Sequence, residues 1–228
     1  MANDLVNPWA IAVIVTICAP IALVSYFLGC INGAVLTSKL FYHDDVRKHG
    51  SGNAGLTNFY RTYGAKYALC VIVLDMGKAV AAALFAVLLL LRFYGADAAL
   101  LVLGKYFAGL FCLIGHVFPV TEHFKGGKGI LCCATLLLCL DWRIALAAWG
   151  LFFVLLLLTR YVSLGSVCAA ISFPIMTHIV YASARLDVIS LLMAALVLYA
   201  HRENIVRLLR GTENKFRFRV NAPKEEEP

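Results

Sequence analysis

Apolar runs long enough to cross a bilayer dominate this chain and leave little freedom about what it can fold into. Residues 9–28, 67–91, 98–118, 162–182 and, with some flank, 186–200 each approach the about 17 to 25 apolar residues that one membrane-spanning helix requires. Hydrophobic residues make up 62% of the chain and charged ones 14%, against roughly 45–50% and 25% in an ordinary soluble domain. The runs are continuous rather than alternating, which excludes a membrane β-barrel. Residues 130–158 form one more run, interrupted by Asp141, Trp142 and Arg143. A charge at the bilayer centre costs about 2.5 to 3.5 kcal/mol on insertion scales, so this run divides into a short helix over 130–140 and a longer one over 144–158. The expectation is an all-α, polytopic membrane protein with seven transmembrane helices.

The basic residues give the orientation. No Lys or Arg precedes Lys39, so the first helix lacks the basic start of a signal peptide and reads as a retained anchor with its N-terminus outside. With seven crossings, the segments holding Lys39 to Lys66, Lys125, Lys128, Arg160 and the C-terminal tail share the cytoplasmic side, and they carry 15 of the 20 Lys and Arg. The net charge of +7 thereby acquires a location, a cytoplasmic face suited to anionic headgroups or phosphorylated substrates. The eight cysteines lie in or beside apolar stretches with no paired spacing and no histidine at zinc-site intervals, so they read as small hydrophobes, and no metal or cofactor is expected. One domain over residues 1–221, followed by a flexible acidic tail over 222–228, is the simplest organisation.

Three polar, glycine-punctuated islands fall on that cytoplasmic side, although charge and not motif set the topology. The first, SGNAGLTNFYR over residues 51–61, alternates glycines, which let successive amides converge on an anion, with the donors Ser51, Asn53, Thr57 and Asn58. Arg61 adds a fork for phosphate or carboxylate. A turn with Thr57 or Asn58 capping the next helix accounts for the same residues. The second island ends in FKGGKG over residues 124–129, setting Lys125, Gly126, Gly127 and Lys128 at the entrance of the short helix, where an anion is favoured. Glu122 and Gly129 exclude a nucleotide P-loop. His116, near Pro119, reads as a structural hydrogen-bond partner. In the third, HRENIVRLLRGTENK over residues 201–215, a helix continued past Ala200 aligns His201, Asn204 and Arg207 on one face and stops at Gly211. Glu213 is placed to orient an arginine. Within the spans, Asp75 and Lys78 are one turn apart and neutralise each other or a neighbouring helix dipole, whereas Lys105 has no evident partner and reads as snorkelling to a helix end.

Together SGNAGLTNFYRTYG, LDMGKA, GHVFPV, FKGGKG, LTRYVSLGS and HRENIVRLLRGTENK resemble, in order and approximate interval, the PlsY family of acyl-phosphate:glycerol-3-phosphate acyltransferases. That resemblance implies a seven-helix enzyme of the bacterial cytoplasmic membrane. Such an enzyme moves a fatty acyl group from acyl phosphate to the 1-hydroxyl of glycerol-3-phosphate and releases lysophosphatidic acid and phosphate, with no acyl carrier protein as direct donor. Carried over by position, it implies Lys128, His201, Asn204 and Ser51 as catalytic residues. Asn53, Thr57, Asn58, Arg61, Lys125, Gly126, Gly127, Ser163 or Ser166, and Glu213 are then implied as substrate-binding. Ala54, Leu56 and Cys132 depart from the family's usual residues, the last standing where a threonine is usual.

The residues themselves agree with such chemistry. Acyl phosphate already carries a good leaving group, so alignment and charge stabilisation matter more than a protein nucleophile. No GxSxG elbow is present, and the residues five after His116, His123 and His201 are Thr121, Lys128 and Val206 rather than aspartate. Direct attack by the glycerol hydroxyl follows, its proton passing to the donor's phosphate or to His201, with Lys128 and Asn204 stabilising charge and Arg61 and Lys125 holding the two phosphates. A transporter of organic phosphates is the alternative, but the chain shows no internal repeat. A phosphatidyl-group transferase would need clustered aspartates for a metal, and Asp44–Asp45 is the only adjacent pair. No nucleic-acid partner is expected.

Overall fold

The computed structural model describes residues 12–216; residues 1–11, and the tail expected over 222–228 together with Arg217 and Arg219, lie outside them. Among the described residues the structure is all-helical. After a π-turn, Ile14–Cys18, come α1 (Ala19–Cys30), α2 (Gly33–Tyr42), α3 (Leu56–Tyr63), α4 (Ala68–Tyr94) and α5 (Ala98–Val117). Then follow α6 (Ile130–Leu140), α7 (Trp142–Thr159), α8 (Val162–Tyr181), α9 (Ala184–Ala200) and α10 (Arg202–Leu209).

Four helices, α4, α5, α7 and α8, are long and apolar enough to cross a membrane singly. Two bent pairs pass the same test jointly: α1 with α2, bent by 40°, and α9 with α10, bent by 62°. The short α6 is apolar but has only 11 residues. The expected division at Asp141 is present, and the chemistry that permits it is visible on both sides. Asp141 caps α7 by accepting from the Arg143 N–H at 2.8 Å, and Tyr181 donates to it at 2.9 Å. Lys105 does not snorkel; its ammonium donates to the Cys139 and Leu140 carbonyls at 2.8 and 3.2 Å, closing the end of α6. Backbone groups freed at a helix break must find partners, and here a cation and a carboxylate supply them.

The first span departs from expectation. It runs through Cys30 rather than ending at Leu28, breaks at Ile31 and Asn32, and continues as α2, a stretch that the hydropathy pattern alone leaves as loop. Asn32 capping α2 through the Val35 N–H, at 3.0 Å, explains the restart. Helix α1 crosses α5 at Gly29 and Gly115, where a Cβ on Gly29 would lie 3.0 Å from the Gly115 Cα. Small residues of this kind let membrane helices approach backbone to backbone. The central core joins Tyr106 and Leu113 of α5, Leu136 of α6, Ile144 of α7, Phe173 of α8 and Met193 of α9. A second, smaller cluster of Val35, Val46, Ala54, Phe59 and Val71 lies under the first island. Outer faces are as oily as the interior: Leu157 and Leu158 of α7 are 71% and 77% exposed, which suits lipid and not water.

Candidate active site

A cavity of about 480 Å³ gathers residues from all three islands. Ser51, Asn53, Thr57, Asn58 and Arg61 line it from the first, Lys128 from the second, and His201, Asn204, Arg207, Glu213 and Asn214 from the third. Ser163 and Ser166 of α8 stand beside them. Lys125, Gly126 and Gly127 do not line it: Lys125 is exposed, and its carbonyl accepts from Arg47 at 3.4 Å. The rest of the wall is apolar, with Leu131 and Leu137 of α6, Trp149 and Phe152 of α7, Phe173 of α8 and Val197 of α9. A polar mouth and an oily interior thus share one space.

The glycine loop owes its shape to Asn58. Gly50 and Gly52 adopt positive φ, +57° and +70°, which a residue with a Cβ adopts at a cost. The Asn58 side chain, 2% exposed, donates to the Val46 and His49 carbonyls at 3.0 Å and accepts from the Ser51 N–H at 2.9 Å and its hydroxyl at 3.2 Å. All its hydrogen-bonding capacity is committed, so it holds the loop. Neither Asn58 nor Thr57 takes the alternative role of capping the helix; the N-cap of α3 is Gly55, in an extended conformation. Asn53, Thr57 and Arg61 make no side-chain hydrogen bond or ion pair with another described residue, which leaves their donors open to the cavity. Burial depresses the Arg61 pKa and the nearby Glu213 carboxylate opposes that fall.

On the facing side Glu213 organises the polar groups. Its carboxylate accepts from the Ser163 hydroxyl at 2.9 Å, the Asn204 amide at 2.8 Å and the Arg207 Nε–H at 2.8 Å. Burial opposes its charge, but these bonds together with the guanidinium win and hold its pKa below the usual carboxylate value. The Asn204 amide so fixed turns its oxygen to the Lys128 ammonium, which donates to it. Burial, and then the cation of Arg207, lower the Lys128 pKa. The chain does not continue straight past Ala200; it bends at His201, yet Asn204 and Arg207 still reach the cavity. His201 lies 2.9 Å from the Val197 carbonyl through Nδ1. A carbonyl can only accept, so Nδ1 carries a proton, and Nε2 is the nitrogen left with a lone pair when the ring is neutral. Gly211, at φ +68°, ends α10 as expected, with the Thr212 N–H bonded to the Arg207 carbonyl at 2.9 Å and the Gly211 N–H to Leu208 at 3.1 Å. That closure brings Glu213 back beneath Arg207.

Asn214 is an addition to the site residues expected from sequence, and so are the particular residues of the apolar wall. Arg207 is visible in the sequence as an aligned cation, but five neighbouring cations share its signal. Cys132 is fully buried with its Sγ 3.8 Å from that of Cys112, away from the cavity, which Cys133 lines instead. All eight cysteines are free.

A profile of the family described as glycerol-3-phosphate acyltransferase matches residues 19–211. The chain belongs to this family. Similar glycerol-3-phosphate acyltransferases include one from Finegoldia magna, 39% identical over 197 residues that cover 86% of this chain and 94% of that one. Another, from Thermoanaerobacter sp. (strain X514), is 37% identical over 194 residues, covering 85% and 93%. Among solved structures, crystals of the integral membrane glycerol 3-phosphate acyltransferase PlsY (YgiH) superpose with TM-score 0.76 at 34% identity in its glycerol 3-phosphate form, covering 88% of this chain and 96% of that one. Its lysophosphatidic acid form gives 0.74 at 32% identity. The acyltransferase family and the apolar helices together make this a multi-pass membrane protein.

Proposed function

We propose that this protein acylates the 1-hydroxyl of sn-glycerol-3-phosphate with a fatty acyl group taken directly from acyl phosphate, the first acylation of phospholipid synthesis. The observation that carries the reading is the single cavity in which a cluster of cations and open donors meets a continuous apolar wall. One reactant, with a phosphate at one end and a long chain at the other, matches both halves. The second, small and phosphorylated, fits the polar mouth. In this reading Arg61, Lys128 and Arg207 share the two phosphates, with Asn53 and Thr57 adding donors, while the chain lies along Leu131, Trp149 and Phe173. Lys125, outside the cavity, adds only to the surrounding positive field.

The glycerol oxygen bonds to the acyl carbon, and the bond from that carbon to the phosphate oxygen breaks. The hydroxyl proton goes to the departing phosphate or to Nε2 of His201, and Lys128 with Asn204 stabilises the negative charge that develops. Ser51 and Ser163, hydrogen-bonded to Asn58 and Glu213, orient substrate rather than form an acyl-enzyme. Topologically, the four single spans, the two bent pairs and α6 make seven membrane segments. The N-terminus lies outside and the C-terminus in the cytoplasm, and the cavity opens toward the cytoplasm of a bacterial inner membrane. Convergence of the three islands supports that sidedness.

The test is release of inorganic phosphate from palmitoyl phosphate by detergent-purified protein. Release that requires glycerol-3-phosphate and yields lysophosphatidic acid one for one is the expected result. Uptake of organic phosphate into proteoliposomes without lysophosphatidic acid formation would replace this reading with a carrier.

A further inference from the structure

Lys78 takes no part in that chemistry, yet it has more partners than any other lysine among the described residues. It lies in the middle of α4, 4% exposed. Its ammonium is 2.9 Å from Asp75 Oδ1, 3.3 Å from the Gly29 carbonyl, 2.5 Å from that of Ile31 and 2.6 Å from Nδ1 of His116. An ammonium has donors only, so His116 accepts through Nδ1. Asp75 in turn accepts from the Gly33 N–H at 3.1 Å. One ion pair therefore closes both sides of the break between α1 and α2: the cation takes the carbonyls left at the end of α1, and the carboxylate takes an amide at the start of α2. A buried ion pair adds little to stability compared with apolar packing of the same volume, which directs attention to what this pair holds in place.

What it holds is the turn before Lys128. The His116 carbonyl accepts from the Gly127 N–H, and the Val117 carbonyl from the Gly126 N–H, both at 3.1 Å. A Cβ at Gly127 would strike the His116 ring and stand 2.5 Å from the Ala54 carbonyl. That carbonyl, in the first island, is bonded at 3.0 Å by Asn32, which sits in the same break. Break, histidine, glycine turn and first island thus form one packed unit with Lys78 at its centre and Lys128 as the next residue along the chain.

We propose that Lys78 is a positioning residue for Lys128: by clamping the helix break to His116, it fixes the Gly126–Gly127 turn and hence the place of the Lys128 ammonium in the cavity. This rests on the reading of Lys128 as a group that stabilises the transferring charge. The paired substitution Lys78→Met with Asp75→Asn removes the clamp and leaves no buried charge unpaired. It lowers kcat/KM for glycerol-3-phosphate-dependent phosphate release by about 10- to 100-fold, the scale expected for an ångström-sized misplacement. In a Lys128→Met background the same pair changes kcat/KM by less than about twofold, because groups that act through one another are not additive. Single-turnover measurements with enzyme in excess keep the weak variants readable, and thermal unfolding in detergent reports folding.

His116→Phe is the milder second variant. It keeps a ring against Gly127, removes the acceptor, and follows the same cycle if the paired substitution does not fold. Losses that multiply across the cycle, or a clamp-free enzyme with wild-type turnover, overturn the proposal. Normal turnover by Lys128→Met alone overturns the reading of Lys128 instead.

Discussion

Two lysines sheltered from bulk water, fifty residues apart, meet opposite fates. Lys78 has four acceptors for its three N–H groups, two of them backbone carbonyls, and the protein saturates it. Lys128 has Asn204 as its hydrogen-bond partner and faces a cavity of about 480 Å³. The carboxylates divide the same way: Asp75 bonds its own lysine and a backbone amide, whereas Glu213 collects Ser163, Asn204 and Arg207 along a wall of that cavity. A buried charge whose capacity is filled by protein is scaffold. One with donors left over toward open space is equipped for a ligand.

The contrast can be tested from both ends. Asp75→Leu, which strands the Lys78 charge, is expected to cost about 3–5 kcal/mol of stability, read as a drop in thermal unfolding midpoint with activity lost in step. Lys128→Met should leave that midpoint nearly unchanged and lower kcat by about 100- to 1,000-fold, as removal of one charge-stabilising donor does elsewhere. Glu213→Gln keeps the shape of the hub but weakens charge-assisted bonds to Arg207 and Asn204, for about a tenfold loss in kcat/KM. Since burial and Arg207 lower the Lys128 pKa and the protonated form is the active one, activity falls as pH rises through that lowered value. The alkaline limb should therefore lie below that of an ordinary lysine, and Lys128→Arg should displace it upward, since arginine stays charged. Smallest of all, Lys125→Ala should change kcat/KM by about threefold or less, an exposed charge being screened by solvent.

Lys125 and Lys128 also mark how far the sequence can be read. Both stand in FKGGKG, three positions apart, with the same composition around them, and nothing local says which one turns inward. That choice depends on His116 and Ala54, which meet the glycines only in the folded chain. The break at Asp141 is legible because an aspartate and an arginine on either side of one tryptophan cannot stay in hydrocarbon cheaply, and the stop at Gly211 because glycine favours the left-handed conformation there. The break at Ile31–Asn32 is not. A single asparagine in an apolar stretch is a weak signal, and the Lys78 and Asp75 groups that stabilise the break come from a helix more than forty residues on. Leu131, Trp149 and Phe173 carry no mark that separates a cavity wall from packed interior, so the space for a lipid chain emerges only with the fold. Thr57 and Asn58 look like helix caps because their side chains suit that role; Gly55 starts the helix earlier, and Asn58 becomes the loop's anchor.

The brevity of α6 has a consequence for the surrounding lipid. Eleven residues rise only about 16 Å, roughly half of a 30 Å hydrocarbon layer. The chain then reverses at Asp141, next to an Arg143 whose side chain is 51% exposed. In the seven-segment topology proposed above, α6 meets a hydrocarbon layer about twice its length, a mismatch that thinning of the lipid around the turn would relieve. Membranes with longer acyl tails resist such thinning, which in that topology would tie the comfort of this fold to the length of the very chains it is proposed to attach.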